Sequence, residues 1–341
     1  MSDRGVRVPR HRGEATRRWL VAEGLLRTDL AIRSDGEALV FPVVAGAVVP
    51  PDRGEVVEVE FAARAAPEAS DYRDLVPPDV APRDELPRSF DVVGDVVLVR
   101  IPPSVAGAAS AIGAALLDFV PGARIVGWDR GVHGPDRRRT IERIAGAGGW
   151  ATVHHENHLA IEVDLERAYF SPRLAREHAR VAGDVAAGDR VYDLCCGVGP
   201  FSLQIAHAGR ARSITAVDAN PDAIALLERS RTRVDGGERI VAVRDRIESF
   251  LPDREPVERV ILNLPHEGIK YAPSVARAVA PGGRFYHYEI VPRAELNGRA
   301  EALVHALSTA AGRFRLLDAH TVHPYSPDAD LTAFVLERGP A

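Results

Sequence analysis

The chain has 341 residues, 46% of them hydrophobic, and a formal net charge of -5. That length exceeds one ordinary domain and predicts two or three, with ample apolar material for packed cores. An acidic balance is unusual for a nucleic-acid binder. Yet of 43 basic residues only Lys270 is lysine, and arginine forks grip phosphates and stack on bases. Since a GC-rich genome produces the same bias, composition leaves RNA binding open.

The N-terminal arginines Arg4, Arg7, Arg10 and Arg12 are followed by no apolar stretch, so they do not form a secretory signal. The apolar runs 45–51 and 92–101 are short or interrupted by charge, so no transmembrane segment is expected. A cytoplasmic, membrane-free monomer is the expectation. The adjacent Cys195 and Cys196 read as small apolar fillers, placed on opposite faces of an extended strand where no disulfide can join them.

In chain order, residues 13–24 predict a helix with Trp19 and Leu20 on its apolar side, followed by strands at 39–44 and 56–61. These define a small N-terminal domain, 1–63. Residues 64–87, rich in Pro, Ala, Asp and Glu, read as a linker. A middle α/β domain, 88–166, follows: strand 90–101 broken at Gly94-Asp95, helix 106–119, and strands at 123–128, 141–145, 151–155 and 159–165. From 167 to 341 strands and helices alternate: helix 172–185, strand 190–195, helix 201–207, strand 213–218, helix 222–231, then strands at 240–243, 259–263 and 283–290. Such alternation predicts a Rossmann-like α/β domain with a mostly parallel, doubly wound sheet.

The strongest local feature is Val191-Tyr-Asp193-Leu-Cys-Cys-Gly197-Val-Gly199-Pro-Phe201-Ser202. A strand ends near Asp193, and the side-chain-free turn of Gly197 and Gly199 lets backbone approach a ligand. Asp218 follows 19 residues after Gly199, at the end of the next strand, where a carboxylate can accept both ribose hydroxyls. Dinucleotide binding needs a third glycine and a pyrophosphate on the helix N-terminus. Here Ser202 replaces that glycine, and Asp193 would repel a pyrophosphate but hold an ammonium. S-adenosylmethionine, with an amino-acid head and an adenosine tail, suits the layout better than NAD. Asp245, after the third strand, is placed for the adenine amino group, and Asn220 is the expected cap of the helix beginning at Pro221.

With Asn263-Leu-Pro265 at the end of a fourth strand, the chain resembles the archaeal and eukaryotic tRNA guanine-37 N1-methyltransferases, with wybutosine-pathway transferases as close relatives. The likeness rests on Ser89-Phe-Asp-Val-Val-Gly-Asp95, Tyr169-Phe-Ser-Pro-Arg173-Leu-Ala-Arg-Glu177-His178, Asp193 to Ser202 and Asn263 to Pro265, in order. The N-terminal helix with Glu23-Gly-Leu-Leu is similar to that family's tRNA-elbow domain. The resemblance implies a class I methyltransferase domain at 167–341 and transfer of a methyl group from S-adenosylmethionine to N1 of guanosine 37 in tRNA. It implies catalytic roles for Glu177 as acceptor of the base proton, Arg137 in Gly134-Pro-Asp-Arg137 as the guanine-facing arginine, and Asn263. The implied cofactor set is His178, Asp193, Gly197, Gly199, Asp218, Ala219, Asp245 and Asn263, with no metal.

The chemistry agrees, because guanine N1 is a poor nucleophile until a base takes its proton, and an arginine at O6 stabilises charge developing there. The target base must leave its stack. On spacing alone, however, Glu177 reads as a surface ion pair among Arg173, Arg176 and Arg180, and Arg137 as part of a solvated basic run with Arg138 and Arg139. The cluster His154-His155-Glu156-Asn157-His158 scatters its side chains too widely for zinc. Two departures from the family stand out: His158-Leu-Ala where a glycine-containing turn is expected, and Asp136 in place of an aromatic. The competing functions are aminocarboxypropyl transfer or methylation of a wybutosine intermediate at the same position, and a non-catalytic RNA-binding module.

Overall fold

The computed structural model describes residues 3–340 except Gly24, Thr28, Asp29, residues 63–68 and residues 134–137. Two compact units emerge, Met1–Asp74 and Leu75–Ala341. The division falls inside the stretch expected as linker.

In the first unit a four-stranded antiparallel sheet has the order β2-β3-β1-β4, built from β1 (Asp3–Pro9), β2 (Arg33–Asp35), β3 (Ala38–Pro42) and β4 (Glu55–Val59). Helix α1 (Gly13–Ala22) contributes Leu20 to a core with Val6, Val8, Phe41 and Val43. Strand β1 is absent from the sequence expectation, although Val6 and Val8 are buried with Arg7 exposed between them, the period-2 signature of a strand.

The second unit opens with a mixed sheet, β5-β6-β7-β8: β5 (Phe90–Val93), β6 (Val96–Val99), β7 (Ile125–His133) and β8 (Arg138–Gly146), with α2 (Ala109–Phe119) before β7. A hairpin of β9 (Ala151–Glu156) and β10 (Leu159–Asp164) follows. Its two-residue turn places Asn157 at φ 44° and His158 at φ 70°. Both central residues of a type I′ turn need positive φ, so His158 sits where glycine is favoured, in the turn for which the family resemblance implies a glycine. The Asn157 side chain donates to the Ala175 carbonyl at 2.7 Å, bracing the start of α3 (Ala175–Asp184).

The largest sheet comprises β11 (Arg190–Leu194), β12 (Ser213–Asp218), β13 (Ile240–Arg244), β14 (Val257–Leu262), β15 (Val279–Pro292), β16 (Phe314–Pro324) and β17 (Ala329–Arg338). Its order is β13-β12-β11-β14-β15-β17-β16, parallel through β15 and antiparallel for the last two strands. The sequence reading reached the parallel part and stopped before the C-terminal hairpin. Helices α4 (Pro200–Ala208) and α5 (Pro221–Arg231) cover one face through Phe201 and Leu227. On the other face α7 (Ala272–Ala278) and α8 (Leu296–Ala311) pack Val275, Leu303 and Leu307, with the short α6 (Ile247–Phe250) beside them. Burial on both faces explains why β14 is an almost continuous apolar run. One core joins Val93, Val96 and Ile125 of the mixed sheet to Ile161, Phe201 and Ile214, so residues 88–166 and 167–341 share packing within a single unit.

Candidate active site

Strand order reverses between β11 and β14, and a parallel sheet offers its ligand crevice at the carboxyl ends beside that switch point. A cavity of 520 Å³ lies there. Registry brings the strand tips level, since Leu194 pairs with Val217 and Leu262, and Asp218 with Arg244. Among the expected cofactor residues, Gly197, Asp218, Ala219, Asp245, Asn263 and His178 line this cavity.

Asp218 is held before any ligand arrives. Its Oδ2 accepts the Gly197 backbone N–H at 2.8 Å and its Oδ1 accepts that of Asn220 at 2.8 Å. Asn220 caps α5 by accepting the Asp222 N–H at 2.9 Å, as its sequence position predicts. The two glycines divide their roles. A Cβ on Gly197 (φ 58°) would meet only the Tyr169 carbonyl oxygen, at 3.6 Å, facing open space. A Cβ on Gly199 (φ 76°) would strike Leu227 at 2.4 Å. Gly199 is buried behind the cavity wall, and the geometry it needs is that of the α4 start packed on α5.

The cysteines differ from expectation. Strand β11 ends at Leu194, and Cys195 has φ 61°, so the pair forms part of the turn and not an extended strand. Both line the cavity, Cys196 is buried, and no disulfide joins them. Burial pushes the Cys196 thiol well above its ordinary range, which keeps it protonated and inert.

Asp193 also lies behind the wall, 1% exposed. Its Oδ2 accepts the Ser202 hydroxyl at 2.7 Å, while Oδ1 has no partner. Burial, only partly offset by Ser202, pushes its carboxyl up to about 6. Fully buried His178 is fixed by Glu156 Oε1 at 2.6 Å from Nδ1 and by an edge contact with Phe201, leaving Nε2 without a partner. Asn263 Oδ1 is likewise buried and unpaired. Unsatisfied buried polar atoms are costly. A ligand with a cationic amino-acid head and a hydroxyl-bearing adenosine tail matches these three atoms and Asp218. Glu156, which fixes His178, entered the sequence reading only within the cluster set aside for zinc; its place two residues from His154 on one face of β9 is the signal that could have found this role. Among the described residues no group of three His, Cys, Asp or Glu is set to hold a metal.

Glu177 is 5% exposed, not the surface ion pair its spacing suggests. It stands beside His178 on α3 but does not line the cavity. Oε1 accepts from Arg180 at 2.6 Å and from the Tyr288 hydroxyl at 2.7 Å; Oε2 accepts from Arg180 at 2.9 Å and lies 3.2 Å from His320 Nε2. Burial by itself would raise the Glu177 carboxyl, but the bonds from Arg180, Tyr288 and His320 outweigh it and hold the group below its ordinary value. Glu177 is therefore a carboxylate.

Arg137, and Asp136 beside it, lie outside the described residues. A second cavity, 720 Å³, shares Tyr169 and His266 with the first and is lined by Arg100, Arg130 and Arg139. Arg139 is buried, pairs with Asp129 at 2.5 Å and donates to the Phe170 carbonyl at 3.1 Å, with its guanidinium 5.1 Å from the Tyr169 ring centroid. Arg130 stacks on Trp128 at 3.2 Å. Sequence reasoning passed over Arg139 as part of a solvated run; its alternation along β8 was the available clue.

Fold and cavity together define a Rossmann-like, class I methyltransferase. Residues 152–312 match the TRM5/TYW2 methyltransferase domain, 75–149 the TYW2 N-terminal domain and 5–49 the tRNA methyltransferase 5 N-terminal domain. The chain is 30% identical to the tRNA (guanine(37)-N(1))-methyltransferase Trm5b of Pyrococcus abyssi, across 94% of this chain and 95% of that one. To the Trm5b of Methanocaldococcus jannaschii it is also 30% identical, over 84% and 86%. Identity to the tRNA 4-demethylwyosine(37)-methyltransferase Taw21 of Saccharolobus solfataricus is 25%, over 72% and 94%. Among solved structures, Pyrococcus abyssi Trm5b superposes with a TM-score of 0.71 at 29% identity, covering 98% of this chain and 99% of that one. A complex of aTrm5 with tRNALeu gives 0.69 at 27%, covering 98% and 99%, and Methanocaldococcus jannaschii Trm5 with adenosine gives 0.66 at 27%, covering 99% and 100%. The chain belongs to the Trm5 family of tRNA (guanine(37)-N(1))-methyltransferases.

Proposed function

We propose that this protein transfers a methyl group from S-adenosylmethionine to N1 of guanosine 37 in tRNA. The observation that carries the reading is one cavity, at the switch point of a chain similar end to end to Trm5b, that gathers Asp218, His178 and Asn263 around unsatisfied polar atoms. The cofactor, when bound, supplies an electrophilic methyl group on a sulfonium centre. In this reading Asp218 holds the ribose hydroxyls, Gly197 and Ala219 admit the ligand against backbone, and Asp245 meets the adenine amino group. Asp193 sets the negative potential that favours the ammonium, and His178 presents Nε2.

Glu177 takes the N1 proton of the extruded guanine. Arg180 and Tyr288 already donate three hydrogen bonds to it, and His320 Nε2 lies 3.2 Å from Oε2, so it exchanges one Arg180 bond for the substrate N–H when the base arrives. Such catalytic bonds often tighten only in the substrate complex. Asn263 offers both donor and acceptor to the base edge, and Arg137 faces O6. Residues 1–63 serve as the tRNA-elbow-type domain, 64–87 as linker and 88–166 as a middle domain. We place the protein in the cytoplasm as a monomer; no helix among the described residues is long and apolar enough to cross a membrane.

Mass spectrometry of nucleosides from unmodified tRNA incubated with the enzyme and S-adenosylmethionine tests the reading. 1-Methylguanosine is expected. An aminocarboxypropyl adduct, methylation only of a wybutosine intermediate, or tRNA binding without any product would overturn it.

A further inference from the structure

A base that accepts a proton in every catalytic cycle must also lose it, and Glu177 is nine-tenths shielded from solvent. We propose that His320 takes that proton from Glu177 and releases it to solvent beside Asp318. This rests on the reading of Glu177 as the base.

The assignment follows from the partners of the carboxylate. Arg180 is permanently cationic and cannot accept a proton. Tyr288 is fully buried, and burial together with the Glu177 charge raises its hydroxyl well above the ordinary range, so it donates but gives no exit. His320 remains: with its Nδ1–H donating to Asp318, the neutral imidazole turns its one basic nitrogen, Nε2, toward Glu177. Its Nε2 lies 3.2 Å from Glu177 Oε2, and its Nδ1 lies 2.8 Å from Asp318 Oδ2. Exposure rises along the chain of groups, from 6% for the Glu177 side chain to 29% for His320 and 53% for Asp318. His320 sits on β16, the outermost strand of the sheet, opposite Ala333 of β17. Among the described residues the charged groups bonded to it are Glu177 from α3 and Asp318 from its own strand.

In the first step the N1–H bond breaks and the proton moves to a Glu177 oxygen; the electron pair left on nitrogen bonds the methyl carbon as the bond from that carbon to the donor's sulfur breaks, its pair going to sulfur. The Glu177 O–H bond then breaks as an N–H bond forms on His320 Nε2. The resulting imidazolium is stabilised by Asp318 and loses its Nδ1 proton to water. Return of the Nε2 proton to Nδ1 by ring exchange with solvent resets the neutral base.

The test compares steady-state methylation of unmodified tRNA by the wild type, H320A and H320Q, with cofactor affinity measured by calorimetry. Gln keeps a donor to Glu177 but no basic nitrogen. Both variants should lose about 100-fold in turnover, the low end for one proton-transfer group, with cofactor affinity unchanged. Added imidazole should restore H320A in proportion to its free-base form. Wild-type turnover in H320Q would show that only the hydrogen bond matters and would overturn the relay, as would an H320A defect that imidazole does not repair at any pH. Failure of the wild type to form 1-methylguanosine would instead strike the proposed function itself.

Discussion

Asp193 illustrates how one buried side chain couples to pH. Its free-state carboxyl, pushed up to about 6 by burial, holds a proton below that pH, whereas a bound ammonium favours the carboxylate. The folded value lies above the unfolded one, so the apoprotein gains stability as pH falls from about 6 toward 4. Cofactor binding shows the opposite trend. Affinity for S-adenosylmethionine should fall by about tenfold per pH unit below 6, since one proton must leave, and D193N should flatten the profile. Calorimetry between pH 5 and 7 checks this; equal slopes in wild type and D193N would remove Asp193 from the site. Arg180 acts on Glu177 in the other direction. Removing its guanidinium in R180Q raises the carboxyl, so the acid limb of the pH–rate profile should move to higher pH. An unmoved limb would separate Glu177 from the chemistry.

At the scale of elements, backbone conformation decides more than side-chain identity. At the N-cap of α4, G199A combines a left-handed φ with a contact at 2.4 Å to buried Leu227. A loss of about 2–4 kcal/mol in denaturant unfolding is expected. The β9–β10 turn offers the reverse case. His158 at φ 70° carries the left-handed cost that a glycine avoids, so H158G should stabilise by roughly 0.5–1 kcal/mol; a destabilised variant would show that the imidazole contributes more than the turn costs. The parallel strands and the α5 cap were legible because apolar runs and Asn220-Pro221 are local signals. Strand β1, the β16–β17 hairpin and the burial of Glu177 were not. Each depends on a partner far along the chain: β1 on β3 and β4, and Glu177 on Tyr288 and His320, 111 and 143 residues away.

At the scale of the whole molecule, the ordered motifs pointed to the family before any coordinates, and the chain's similarity to Trm5b over nearly its full length agrees. Composition alone left RNA binding open, because a net charge of -5 conceals where arginines gather. Arg100, Arg130 and Arg139 line one cavity with Trp128 and Tyr169, an arrangement of cations and rings suited to bases and phosphates. That cavity adjoins the strand-tip site through Tyr169 and His266. In the proposed reading, cofactor and RNA chemistry meet within the second unit. The most direct measurement is transfer of a labelled methyl group to a tRNA transcript carrying guanosine 37, set against the same transcript with adenosine there. Label should enter the first as 1-methylguanosine and be absent from the second. Equal labelling of both would contradict the account.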